Sequence, residues 1–76
     1  MNCHPDLVKL GTRIRELRRA AGYSQESFAL SIGMARSYFG GVERGERNIA
    51  ALNLIRIADA LGVEVGRLFL SIQKSK

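Results

Sequence analysis

Residues 22–45, GYSQESFALSIGMARSYFGGVERG, decide the fold. Ser24 is placed to cap a helix from Gln25 to Ile32, with Phe28, Ala29 and Ile32 facing inward and Gly33 closing it. After Gly33 and Met34 the helical pattern restarts. A second helix from about Ala35 to Arg44 would bury Met34, Phe39 and Val42 while turning Arg36, Ser37, Gly40, Gly41 and Arg44 outward. Two short helices joined by a glycine-containing step, the second opening on Arg36-Ser37-Tyr38, have the geometry that fits a DNA major groove.

Upstream, Leu7, Leu10, Ile14, Leu17 and Ala21 recur at steps of three and four, with Asp6 suited to the start of a helix and Gly22 to its stop. Arg13 and Arg18 flank this apolar stripe, and Arg15 and Arg19 fall on the outer face. Downstream, Leu54, Ile57, Ala58 and Leu61 form the stripe of a fourth helix, with Asn48 near its start and Gly62 at its stop. A last short helix carries Val65, Leu68, Phe69 and Ile72. Leu52, Ile55 and Leu70 lie off these stripes, so the chain has more apolar faces than one small core needs. This surplus reads as a homodimer interface, to which Leu52, Ile55, Leu68 and Leu70 are assigned.

The chain has 76 residues, enough for one core, and is read as a single domain over 1–76. The helix-turn-helix unit spans about 24–44 and the dimerisation region about 50–73. Twelve Lys and Arg against seven Asp and Glu give a net charge of +5, which favours a polyanionic partner. Cys3 is the only cysteine, too few for an internal disulfide, and with His4 beside it makes no metal site. No cofactor is expected. No segment approaches the roughly 18 apolar residues of a membrane span, so a cytoplasmic chain is expected. No serine or cysteine has a base partner at motif spacing, which argues against an enzyme.

From Ile14 to Phe69 the chain resembles the lambda-repressor-like, or XRE-type, helix-turn-helix regulators. The resemblance rests on IRELRRAAGYSQESFALSIGMARSYFGGVERG and LNLIRIADALGV, with Tyr23-Ser24-Gln25-Glu26, Glu43-Arg44-Gly45 and Ala58–Val63 as its most specific pieces. Within that family, Arg36-Ser37-Tyr38 followed by Glu43–Asn48 is similar to the controller proteins of restriction-modification systems, which bind their own promoter region as dimers. Neighbouring genes, rather than residues, separate a controller from a prophage repressor, a plasmid regulator or an antitoxin.

The resemblance implies an all-α, five-helix DNA-binding domain and gives the outward residues roles. Arg36 offers the planar fork that meets guanine O6 and N7, Ser37 can reach a neighbouring base edge, and Tyr38 a phosphate or a thymine methyl. Ser24 and Gln25 match the family's phosphate-clamping position at the start of the second helix, and Arg44, Arg47 and Asn48 would hold the DNA backbone further along. Arg18 and Glu43 align with an arginine and a glutamate that pair structurally. The expected partners are a double-stranded operator, a second copy of the chain and RNA polymerase, blocked or recruited. In the alternative reading the apolar surplus covers a toxin, as in an antitoxin, with DNA binding secondary.

Three residues depart from the family pattern: Ala35 and Ala50 replace hydroxyl residues, and Gly40 a serine. Two adjacent glycines cost a helix about 1 kcal/mol each against alanine, and a missing cap about 1 more. The third helix is therefore expected to be weak alone, with its glycines either awaiting DNA or allowing close backbone approach to it. In the family Gly41 is a base-reading position, here without a side chain.

Overall fold

The computed structural model describes residues 3–70. Four α-helices and a closing 3-10 segment are present: α1 (Pro5–Ala20), α2 (Gln25–Ser31), α3 (Arg36–Glu43), α4 (Ala51–Leu61) and Val65–Phe69. Among the described residues the expected fifth helix is represented by this 3-10 segment, and its Ile72 lies outside them.

Local chemistry explains the starts of α1 and α2. Pro5 opens α1, where its missing N–H costs nothing, and the cap is His4, whose Nδ1 accepts from the Asp6 backbone N–H at 3.1 Å. Asp6, expected as the start, sits instead in the first turn. Ala21 is the exposed C-cap rather than part of the apolar stripe. Ser24 begins α2 with a reciprocal box: its Oγ accepts from Ser27 N–H at 3.0 Å, and Ser27 Oγ accepts from Ser24 N–H at 3.1 Å. Ile32 falls one residue beyond α2, and Gly33 turns the chain at φ +67°. Helices α3 and α4 start at Ala35 and Ala50 with no side-chain cap; Asn48, expected to serve α4, is exposed and lies too far upstream.

The core takes one fully buried large apolar side chain from each segment: Ile14, Phe28, Phe39, Ile57 and Leu68. Phe28 and Phe39 meet at 5.3 Å between ring centroids, and Tyr23 meets Phe28 edge-on at 5.1 Å. Leu68 is therefore consumed by its own chain at 0 % exposure and has no surface to give a second copy, which removes it from the association set. Leu52, Ile55 and Leu70 remain open at 68 %, 45 % and 47 %.

Helices α1 and α3 approach backbone to backbone. A Cβ added to Gly11 would lie 2.5 Å from the Glu43 carbonyl oxygen and 2.7 Å from its carbon. Only glycine lets α3 lie this close to α1.

Candidate nucleic-acid interface

The orientation of α3 rests on a buried charge cluster at its C-terminal end. Arg18, 5 % exposed, donates from Nε to Glu43 Oε2 at 2.6 Å and from Nη2 to Oε1 at 3.0 Å. Its Nη1 donates to the Tyr23 carbonyl at 2.8 Å, so one guanidinium joins α1, the step before α2, and α3. Gln25 Nε2 donates to Glu43 Oε1 at 2.9 Å, and Arg15 Nε lies 3.5 Å from the same oxygen. Arg15, expected on the outer face, is therefore half-buried and turned toward the cluster. Burial alone would raise the Glu43 carboxyl. The hydrogen bonds from Arg18 and Gln25 and the charges of Arg18 and Arg15 outweigh it and hold the group below the ordinary glutamate value.

This anchoring leaves the first turn of α3 facing solvent. Arg36 and Ser37 are exposed, and among the described residues Arg36 enters no ion pair. A shallow hollow of about 190 Å³ lies beside Arg36, lined also by Glu26, Ala29, Leu30 and Met34. Tyr38 is half-buried on the flank.

The two glycines of α3 do not face outward as the sequence pattern suggested; both are covered. A Cβ on Gly40 would meet Arg44 Nη1 and Gln25 Oε1, each at 3.2 Å, and one on Gly41 would meet Arg47 Cγ at 2.7 Å. The glycines thus make room for the chain's own long side chains. Arg47 lies across the Gly41 notch with its guanidinium 5.9 Å from the Tyr38 ring centroid, a cation–π arrangement. A loop residue is thereby brought onto α3 beside Tyr38.

The remaining residues assigned to the DNA backbone divide. Arg44 and Asn48 are exposed, although Arg44 Nε sits 3.2 Å from Glu46 Oε1. The Ser24 hydroxyl is taken up by its helix cap and the Gln25 amide by Glu43, so neither side chain is idle. Sequence reasoning missed the inward turn of Arg15, the Gly11 approach and the Gly41–Arg47 packing. A glycine in an apolar stripe signals the second, whereas nothing local signals the others. Among the described residues no group of three His, Cys, Asp or Glu converges on a metal position, and no helix is long and apolar enough to cross a membrane.

Comparison with known proteins agrees with this fold. Residues 14–68 match the family model described as helix-turn-helix. Control protein C.MunI of Mycoplasma sp. is 37% identical over 68 residues, covering 88% of this chain and 92% of that one. Control protein C.SmaI of Serratia marcescens is 39% identical over 67 residues, covering 87% and 80%. The crystal structure of the restriction-modification controller protein C.AhdI from Aeromonas hydrophila superposes with a TM-score of 0.84 at 53% identity, covering 87% of this chain and all of that one. The chain therefore belongs to the helix-turn-helix family of XRE-type, DNA-binding transcription regulators.

Proposed function

We propose that the chain is a controller-type regulator that binds a near-palindromic operator as a homodimer, setting two α3 helices into successive major grooves about 34 Å apart. The observation that carries this reading is the exposed Arg36, unpaired among the described residues, on a helix whose far end is fixed by the Arg18–Glu43 pair. Arg36 reads a guanine edge, Ser37 a neighbouring base, and Tyr38 a thymine methyl or a phosphate. Arg44, Arg47 and Asn48 carry most of the backbone contact, since the side chains of Ser24 and Gln25 already hold internal partners. Such work places the protein in the cytoplasm, where an operator overlapping a promoter blocks or recruits RNA polymerase.

Binding titrations over several salt concentrations test these roles, using a duplex selected by the wild-type chain from random DNA. Arg36→Ala should weaken that site by roughly 1 to 3 kcal/mol and relax preference at one base position, with random DNA little affected. Arg47→Ala should weaken all duplexes alike and lower the salt slope by about 1. Equal loss on selected and random DNA for Arg36→Ala would remove it as the base reader.

The open Leu52, Ile55 and Leu70 support association of two copies. Sedimentation of the purified wild-type chain should give a dimer, and Leu52→Glu with Ile55→Glu a folded monomer that binds the full operator weakly. A wild-type monomer that aggregates until the product of a neighbouring gene is added would favour the antitoxin reading.

A further inference from the structure

Helix α4 holds the helix-turn-helix by polar ties that the family motif does not announce. Arg56 Nη2 donates to the carbonyl of Ile32, the residue just beyond α2. The guanidinium also lies over the turn itself: a Cβ on Gly33 would stand 3.5 Å from Nη2. From the same side chain, Nη1 donates to Asn53 Oδ1 at 3.4 Å, and Asn53 Nδ2 donates in turn to Tyr38 Oη at 3.5 Å. One chain of side chains on α4 therefore touches the reading unit at two points, the turn between α2 and α3 and the flank of α3.

The same helix carries the open Leu52 and Ile55, next in sequence to Asn53 and Arg56. In packing, α4 lies chiefly against the 3-10 segment, while α3 lies against α1 and α2. The polar ties thus reach where the main-chain packing of α4 is sparse. A cation at the end of α2 is also favoured by the partial negative charge of its terminal carbonyls.

We infer that Arg56 and Asn53 are positioning residues that fix the angle between the association face and the reading helix, and so set the half-site spacing a dimer accepts. Resting on the proposed function, this adds a geometric demand. Two sites engaged by one rigid body gain from each other only when both can be met at once. Loosening the tie should leave each reading helix competent while weakening their joint engagement.

The experiment compares the full operator selected by the wild-type chain, a duplex bearing one half-site, and operators with about one or two base pairs added between half-sites. Arg56→Ala should lose about tenfold or more on the full operator but no more than about threefold on the half-site, and should discriminate less against altered spacing. Asn53→Ala should shift in the same direction by less. Arg56→Lys, which keeps a cation within reach of the Ile32 carbonyl, should recover much of the full-site affinity. Melting temperature and dimer dissociation measured alongside should stay near wild type.

Equal losses on full and half sites, unchanged spacing preference, or a loss traced to unfolding or dimer dissociation would each overturn the inference. A wild-type chain that enriches no duplex from the random pool would instead remove the proposed function, and this inference with it.

Discussion

Glu43→Gln should cost about 3 to 5 kcal/mol of folding free energy, the loss expected when one member of a buried ion pair is removed. The Glu43 oxygens accept from Arg18 Nε, Arg18 Nη2 and Gln25 Nε2 at 2.6, 3.0 and 2.9 Å, with the Glu43 side chain fully covered. Glutamine brings one acceptor oxygen and sets an NH₂ against donors, leaving Arg18 charged and underpaired beneath the surface. Total stability at this chain length is on the order of 4 to 11 kcal/mol, so the variant keeps little margin. Urea unfolding at neutral pH measures the loss, and a change under about 1 kcal/mol would rank the pair with surface ion pairs. Arg18→Met combined with Glu43→Leu should regain much of it, because apolar side chains of similar volume need no partners there.

The cluster also sets an acid limb. Since the folded Glu43 carboxyl lies below its ordinary value of 4.5, its contribution is complete above that value and is lost as pH falls through the lower, folded one. Urea midpoints of the wild type should therefore drop as the solution is acidified below 4.5, and this part of the drop should be missing in Glu43→Gln.

Gly11→Ala should cost about 3 kcal/mol, at the upper end of overpacking penalties. Elsewhere in a helix the same change would gain up to about 1 kcal/mol, so the sign of the effect decides the matter. The atoms that a Gly11 Cβ would strike are all main-chain, the Val42 carbonyl oxygen and the oxygen and carbon of Glu43 at 2.5 and 2.7 Å, and no side chain can rotate away to make room. Helix α3 must retreat, drawing Glu43 away from Arg18, which stands on the same helix as Gly11. Thermal unfolding should fall by roughly 10 to 20 °C. A variant that melts with the wild type would show that α1 and α3 part without penalty.

The helix-turn-helix was legible because its punctuation is local. Ser24 caps, Gly33 turns, and Phe28 and Phe39 recur in phase with a helix, so α2 and α3 follow from neighbours in sequence. The other end was less legible: Leu68 lies in a five-residue 3-10 segment, whose three-residue turn presents a different face from the α-helical period. His4 escaped notice as a cap because histidine is rarely one.

In the candidate site, Arg36 and Ser37 could be placed from their phase alone. Gly40 and Gly41 could not, because glycine carries no polarity by which to judge a face, and what covers them arrives from other segments. Arg15 and Arg56 were opaque for a related reason. A long charged side chain reads as solvated until a carboxylate or a helix-ending carbonyl twenty or more residues away comes within reach.

Gly45 turns the chain out of α3 at φ +78°, and it does so pressed against α1, where an added Cβ would lie 2.7 Å from Val8 Cα. That seat fixes where the following residues leave the helix, and with them the course of Arg47 over Gly41 toward Tyr38. The surface proposed to face DNA is therefore steered in part by the first helix, against which Gly45 is seated. Under the proposed function, a substitution at Val8 or its neighbours would retune target preference through main-chain geometry alone, a route to new operators that leaves Arg36 and Ser37 untouched.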